Sequence, residues 1–253
     1  VVTEIDAPEE DDFNGELPTE PQTVLGDLYE LNGHRVHCAS STEIDAVEKL
    51  MDGKKADMVF TDPPYGVDYK GGHNKKKRNG IIADKLQGDD LSSLFEDSIN
   101  TACLISEDNA PFYIWYAGAK SLETFEGLSK TPIKIRAVIC WYKVKSGIGA
   151  FMSQYIPNYE PCIYGHKEGK SIQWFGPTDE KLVWELKKDQ VNEFHPTQKP
   201  VELPTRAINN SSSKGQIIYD CFLGSGSTLI ASEQLDRLCY GQELDPKYCD
   251  VIV

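Results

Sequence analysis

Apolar positions along the chain follow two rhythms. Short, nearly continuous apolar runs alternate with stretches in which apolar residues recur every three or four positions. The first rhythm predicts buried strands, the second amphipathic helices. Residues 26–31 and 34–38 read as a hairpin around Asn32-Gly33. Ile44, Val47, Leu50 and Met51 predict a helix over 43–51, capped by a hydroxyl of Ser40, Ser41 or Thr42. Met58, Val59 and Phe60 form a strand that stops at Asp62, because neither Pro63 nor Pro64 can donate a ladder hydrogen bond. Residues 34–62 thus read as strand, helix, strand with a right-handed crossover.

The same alternation continues. A helix is expected over 91–104, a strand over 110–116, a helix over 121–128 and a strand over 135–142. Residues 153–166 read as a strand interrupted by prolines, and 167–194 as polar and irregular, with Trp174, Phe175 and Trp184 scattered among charges. A helix over 201–209, a strand over 216–220, a glycine turn over 221–228, a helix over 229–235 and a strand over 238–243 close the chain. The expected fold is α/β: a doubly wound, mostly parallel Rossmann-like sheet with helices on both faces.

Charge modifies the domain picture. Of a net −14, ten negative charges fall within residues 1–34, which hold no Lys or Arg, so the rest is close to balanced. Residues 1–22 read as an acidic linker or tail, with a partner-binding segment as the alternative, and 23–253 as one domain. The acidic start and the absence of an initial Met suggest an upstream domain. No apolar run is long enough to span a bilayer, and no signal-peptide pattern opens the chain. The seven cysteines lack Cys-x-x-Cys spacing, which favours free thiols in a reducing cytoplasm and argues against a metal site.

Three stretches carry chemistry. Asp62-Pro63-Pro64-Tyr65 puts a carboxylate, a carbonyl and an aromatic face at one strand tip, a set suited to a planar base bearing an exocyclic amine. A strand followed by a proline turn is the plainer reading of that tetrapeptide alone. Residues 66–90 form a polar loop holding Lys75, Lys76, Lys77 and Arg78. Such loops are commonly just solvated, but here the cations stand where a nucleic-acid backbone would need neutralising, and Lys143 joins them as a DNA-facing cation. Last, Asp220 through Glu243 runs strand, glycine turn, helix, strand, with an acid at the second strand end. Glycines let a backbone approach a nucleotide-like ligand, and the end acid accepts from ribose hydroxyls. Asp220 would repel a pyrophosphate but suit an ammonium group, which favours S-adenosylmethionine over NAD or ATP.

With these motifs in their order, the chain resembles the permuted, beta-class amino-methyltransferases of DNA, from about Val24 to Val253. Asp62-Pro63-Pro64-Tyr65 resembles the family's catalytic tetrapeptide, and His195-Pro196-Thr197-Gln198-Lys199-Pro200 its cofactor-binding segment ahead of the glycine turn. Asp220-Cys221-Phe222-Leu223-Gly224-Ser225-Gly226-Ser227 resembles the glycine motif, and Gly241-Gln242-Glu243 the ribose-binding strand end. The resemblance implies that Asp62 and the Pro63 carbonyl grip the target amine while Tyr65 stacks on the base. It implies that Asp220, Phe222, Gly224, Ser225, Gly226 and Ser227 line the cofactor, with Glu243 on its ribose. Thr197 and Lys199 would hold the cofactor's carboxylate end, and His195 would contact the ligand or orient its loop. Ser40 stands where the family often has an acid facing the cofactor's adenine, which implies a weaker contact there.

The implied activity is transfer of a methyl group from S-adenosylmethionine to the N6 amine of adenine in DNA, with the adenine flipped out or single-stranded. The implied setting is a bacterial or phage cytoplasm. Residues 167–194 are the short candidate target-recognition segment, which implies short or loose specificity. Dimerisation is left open. The rival readings are an enzyme acting on cytosine N4, RNA or a protein amide, and a non-catalytic DNA-binding module.

Overall fold

The computed structural model describes residues 17–66, 86–143, 155–156, 158–186 and 199–253. Most of the acidic start, the Lys75–Arg78 run, His195 and Thr197 lie outside the described residues.

The chain opens with a hairpin of β1 (Leu28–Leu31) and β2 (His34–Cys38), paired Leu31 to His34. Asn32 and Gly33 both take positive φ, 47° and 91°, the turn geometry whose twist matches the strands. Helix α1 (Ile44–Met51) leads to β3 (Met58–Thr61). The expected hydroxyl cap on α1 is absent: its N-cap residue is Glu43, without a side-chain cap. The Ser40 hydroxyl is instead used locally, 2.8 Å from that of Thr42 and accepting from the Thr42 N–H at 3.3 Å. This is the competing turn that serine side chains offer a backbone.

Then follow α2 (Asp89–Ile105), β4 (Pro111–Trp115), α3 (Ser121–Ser129), β5 (Ile133–Lys143) and β6 (Tyr159–Lys167). The last third holds β7 (Val183–Leu186), α4 (Glu202–Ser211), β8 (Ile217–Asp220), α5 (Ser227–Gln234), β9 (Leu238–Glu243) and α6 (Pro246–Ile252).

These strands form one nine-stranded sheet in the order β1-β2-β9-β8-β3-β4-β6-β5-β7. The run from β2 to β4 is parallel, and β6 enters antiparallel between β4 and β5. Helices cover both faces, so the central strands β3, β4 and β8 are buried along their whole length, as parallel strands between helices must be. Alternation splits the core in two. Val59, Phe112, Ile114 and Tyr219 pack with α1, α2 and α3 residues such as Leu50, Phe95 and Leu128. Met58, Phe60, Trp115 and Ile218 pack with α4 and α5 residues such as Leu203, Ile208 and Ala231.

Two departures concern residues 167–194. The expected irregular stretch contains β7, parallel to β5, and Trp184 is almost fully buried. Ahead of β7 the chain crosses the amino ends of the strands. The Gln173 side chain donates to the carbonyls of Asp57 at 2.7 Å and Ser211 at 3.0 Å, and the Phe175 N–H to Asn210. This part of the segment therefore lies across the sheet from the strand ends that carry Asp62 and Asp220. Charges scattered in sequence concealed the single buried ring that anchors the edge strand.

Candidate active site

The order reverses between β8 and β3: from β8 the chain continues to β9 on one side, while β3 is followed by β4 on the other. In open α/β sheets ligands bind where such a reversal leaves a crevice at the carboxyl ends. Met58 pairs with Ile218 and Val59 with Tyr219, so Asp62 ends about 8 Å from Asp220, one strand across and two residues up. Both share the strand face of Phe60 and Ile218, on the α4 and α5 side. Residues far apart in the chain, Asp62–Tyr65 and the glycine turn, are thus neighbours at one sheet edge.

At the first tip, Pro63 is buried while Asp62, Pro64 and Tyr65 are half-buried. The Tyr65 hydroxyl donates to Asp62 Oδ1. Lys199 reaches in from just ahead of α4. Its Nζ stands 3.0 Å from Asp62 Oδ2, 2.9 Å from the Tyr65 hydroxyl and 2.8 Å from Glu160 Oε2. It also lies 4.9 Å from the Trp115 ring centre and 5.4 Å from that of Tyr65. Burial would lower its pKa, but Asp62 and Glu160 together hold it above the ordinary lysine value. Burial pushes the Asp62 carboxyl up, Lys199 pulls it down, and Glu160 adds to the rise. Lys199, expected at the cofactor's carboxylate end, is bonded here to Asp62, Tyr65 and Glu160.

At the second tip, Asp220 is buried, accepting from the Phe222 N–H at 3.1 Å and the Thr228 hydroxyl at 2.7 Å. Burial raises its pKa to about 7. Glu243 accepts from the N–H groups of Gly224 at 2.8 Å and Asp245 at 2.7 Å, and burial raises it to about 7 as well. Two carboxyls drawn up toward neutrality suit a ligand that brings positive charge. A side chain built on Gly224 would meet nothing within 4 Å, so open space lies beside that backbone. Phe222, Ser225 and Ser227 are half-buried around it and Gly226 is buried. Cys38 pairs with Glu243 across the sheet, and the carbonyl of Ser40 accepts from Gln242 Nε2 at 3.1 Å. Ser40 thereby borders the same corner.

Lys143, expected to face DNA, has an internal partner. Its ammonium is bonded to Glu160 Oε1 and sits 4.8 Å over the Trp141 ring. Glu160 and Trp115 were not singled out in the sequence. The signal for Glu160 was present in Tyr159-Glu160-Pro161, where a lone acid opens the strand ahead of the apolar run Pro161-Cys162-Ile163-Tyr164.

The fold and the paired tips define a methyltransferase of Rossmann-like build. The chain belongs to the DNA methylase family, whose model matches residues 56–253. Among relatives, the type II methyltransferase M2.MboI of Moraxella bovis is 28% identical over 229 residues, 82% of each chain. Two solved structures share the fold. The M1.HpyAVI–SAM complex superposes with a TM-score of 0.62 at 23% identity, over 85% of this chain and 95% of that one. The cytosine-N4-specific PvuII DNA methyltransferase does so at 0.65 and 12%, over 86% of each. Among the described residues, no helix is long and apolar enough to cross a membrane.

Proposed function

We propose that this DNA methylase transfers a methyl group from S-adenosylmethionine to the N6 amine of adenine, taken from a flipped-out or single-stranded nucleotide. The observation that carries this reading is the juxtaposition, at the crevice between β3 and β8, of a carboxylate-and-aromatic tip and a glycine turn flanked by two acids of raised pKa.

The cofactor supplies a methyl group on a sulfonium centre. Asp220 would offer negative charge to the cofactor's cationic end and Glu243 would accept from its ribose hydroxyls, and the missing side chain of Gly224 leaves room beside the backbone. Adenine N6 is a poor nucleophile because its lone pair is spread into the ring. Asp62 and the Pro63 carbonyl accept its two hydrogens, which draws the nitrogen toward tetrahedral geometry and localises that pair. Tyr65 stacks on the base and fixes the line of approach, so that positioning supplies much of the acceleration. Charge growing on the nitrogen is met by the carboxylate at its side. The Lys75–Arg78 run would neutralise phosphates, and the free cysteines suit a reducing cytoplasm.

The test is incubation with DNA and methyl-labelled cofactor, followed by digestion to nucleosides. Label on N6-methyl-2′-deoxyadenosine is expected, and Asp62→Ala should lower its rate by about a hundredfold or more. Label on cytosine instead would favour the second reading, an N4 enzyme, whose fold the PvuII enzyme shares.

A further inference from the structure

Glu160 has no part in that chemistry, yet it is half-buried, ionised and one residue removed from the site. We infer that Glu160 is a positioning residue: from β6 it holds the Lys199 ammonium against Asp62, so that the acceptor carboxylate is aimed, within a cluster of net negative charge, when the target amine arrives. The inference deepens the methyl-transfer reading and rests on it.

The argument is a donor count. A lysine has three N–H donors. Lys199 has three oxygens within reach: Asp62 Oδ2 at 3.0 Å, the Tyr65 hydroxyl at 2.9 Å and Glu160 Oε2 at 2.8 Å. No donor is left for a cofactor carboxylate. The stem is held as well, because Lys199 is only 6% exposed and its ammonium faces the rings of Trp115 and Tyr65. Glu160 is itself anchored on its other oxygen by Lys143. Asp62 has one bond to each oxygen, from Tyr65 and from Lys199. A carboxylate has about four acceptor sites, so a target amine can bind without dismantling the cluster.

Charge explains why a second acid is needed. A lysine facing Asp62 alone would cancel the negative charge that the developing ammonium on adenine requires. Glu160 offsets Lys199, so the cluster keeps a net negative charge, although Glu160 itself draws the Asp62 carboxyl up. The groups facing Asp62 are Tyr65 from its own loop, Lys199 from ahead of α4, Glu160 and Cys162 from β6, and Asp220 from β8, with Lys143 of β5 behind Glu160. Burial would raise Glu160, but Lys199 and Lys143 outweigh it and hold it at about 2. Glu160 is thus a constant charge through the working range.

The test uses Glu160→Gln, Lys199→Gln and Lys199→Arg in the full chain. Methyl transfer to DNA is measured as kcat/KM for DNA against pH at saturating cofactor, with cofactor affinity by calorimetry and folding by thermal melting. Losing the cation moves the acidic limb of Lys199→Gln to higher pH, and losing the anion moves that of Glu160→Gln lower, each by about one unit. Lys199→Arg returns the limb toward wild type, and cofactor affinity stays within about twofold throughout. Limbs that do not move, or lost cofactor affinity in Lys199→Gln, overturn the inference. If Lys199→Gln fails to fold, the limbs of Glu160→Gln and Lys199→Arg decide. A wild-type protein that methylates no adenine ends the underlying reading instead, so the two failures are distinguishable.

Discussion

Asp220→Asn should stabilise the protein in the absence of cofactor while weakening cofactor binding. Burial raises Asp220 to about 7, against about 3.9 for an aspartate in an unfolded chain. The native state therefore holds this proton more tightly than the unfolded state. The cost of ionising it is absent below about pH 4, grows between 4 and 7, and is constant above. About three pH units at 1.36 kcal/mol each amount to about 4 kcal/mol at pH 8. Asparagine removes that cost but weakens the bonds from the Phe222 N–H and the Thr228 hydroxyl, together about 2 kcal/mol. The balance is about 2 kcal/mol of added stability at pH 8 and nearly nothing at pH 5. For a chain of this size that is a rise in melting temperature of about 4–8 °C at pH 8. Circular dichroism melts of both proteins at pH 5 and pH 8 read the difference, and calorimetry at pH 8 should show affinity for S-adenosylmethionine reduced about tenfold or more. A variant that melts below wild type at pH 8, or is shifted equally at both pH values, would refute the claim that this carboxylate is held under strain for a cationic ligand.

Wild-type affinity for the cofactor should weaken as pH falls from 8 to 6, by up to about tenfold for each acid that protonates, because Asp220 and Glu243 both titrate near 7; a flat calorimetric profile would contradict this. Gly66→Ala should cost about 2 kcal/mol or more and depress turnover, since Gly66 has φ of +65° and a Cβ would lie 2.0 Å from the Leu86 carbonyl oxygen. Melting and rate measurements check it. Trp184→Ala should cost about 3–5 kcal/mol, because the ring is 1% exposed and packs against Tyr113 and Trp115. Unchanged stability there would contradict the burial of Trp184 as the anchor of β7.

Much of this molecule is local chemistry and could be read along the chain. Pro63 and Pro64 stop β3 because they lack N–H groups, Asn32-Gly33 turns the β1–β2 hairpin because both accept positive φ, and the alternating periods name the buried faces. The three ordered motifs pointed to a methyltransferase of DNA for the same reason: each is a short run whose backbone needs are met within a few residues. What the sequence could not contain is which parts meet. Hydrophobic period says that β3 and β8 are buried, not that they are neighbours, yet that pairing of Met58 with Ile218 makes the cleft. Trp184 looked like one aromatic among charges until the sheet edge enclosed it. Lys199 looked like a cofactor contact because its motif is contiguous. Its partners in the fold, Asp62 and Glu160, come from just past the end of β3 and from β6, both distant in the chain. A buried ammonium takes whatever carboxylates the fold brings within about 3 Å, and that is a property of the folded space around it rather than of the residues beside it in the chain.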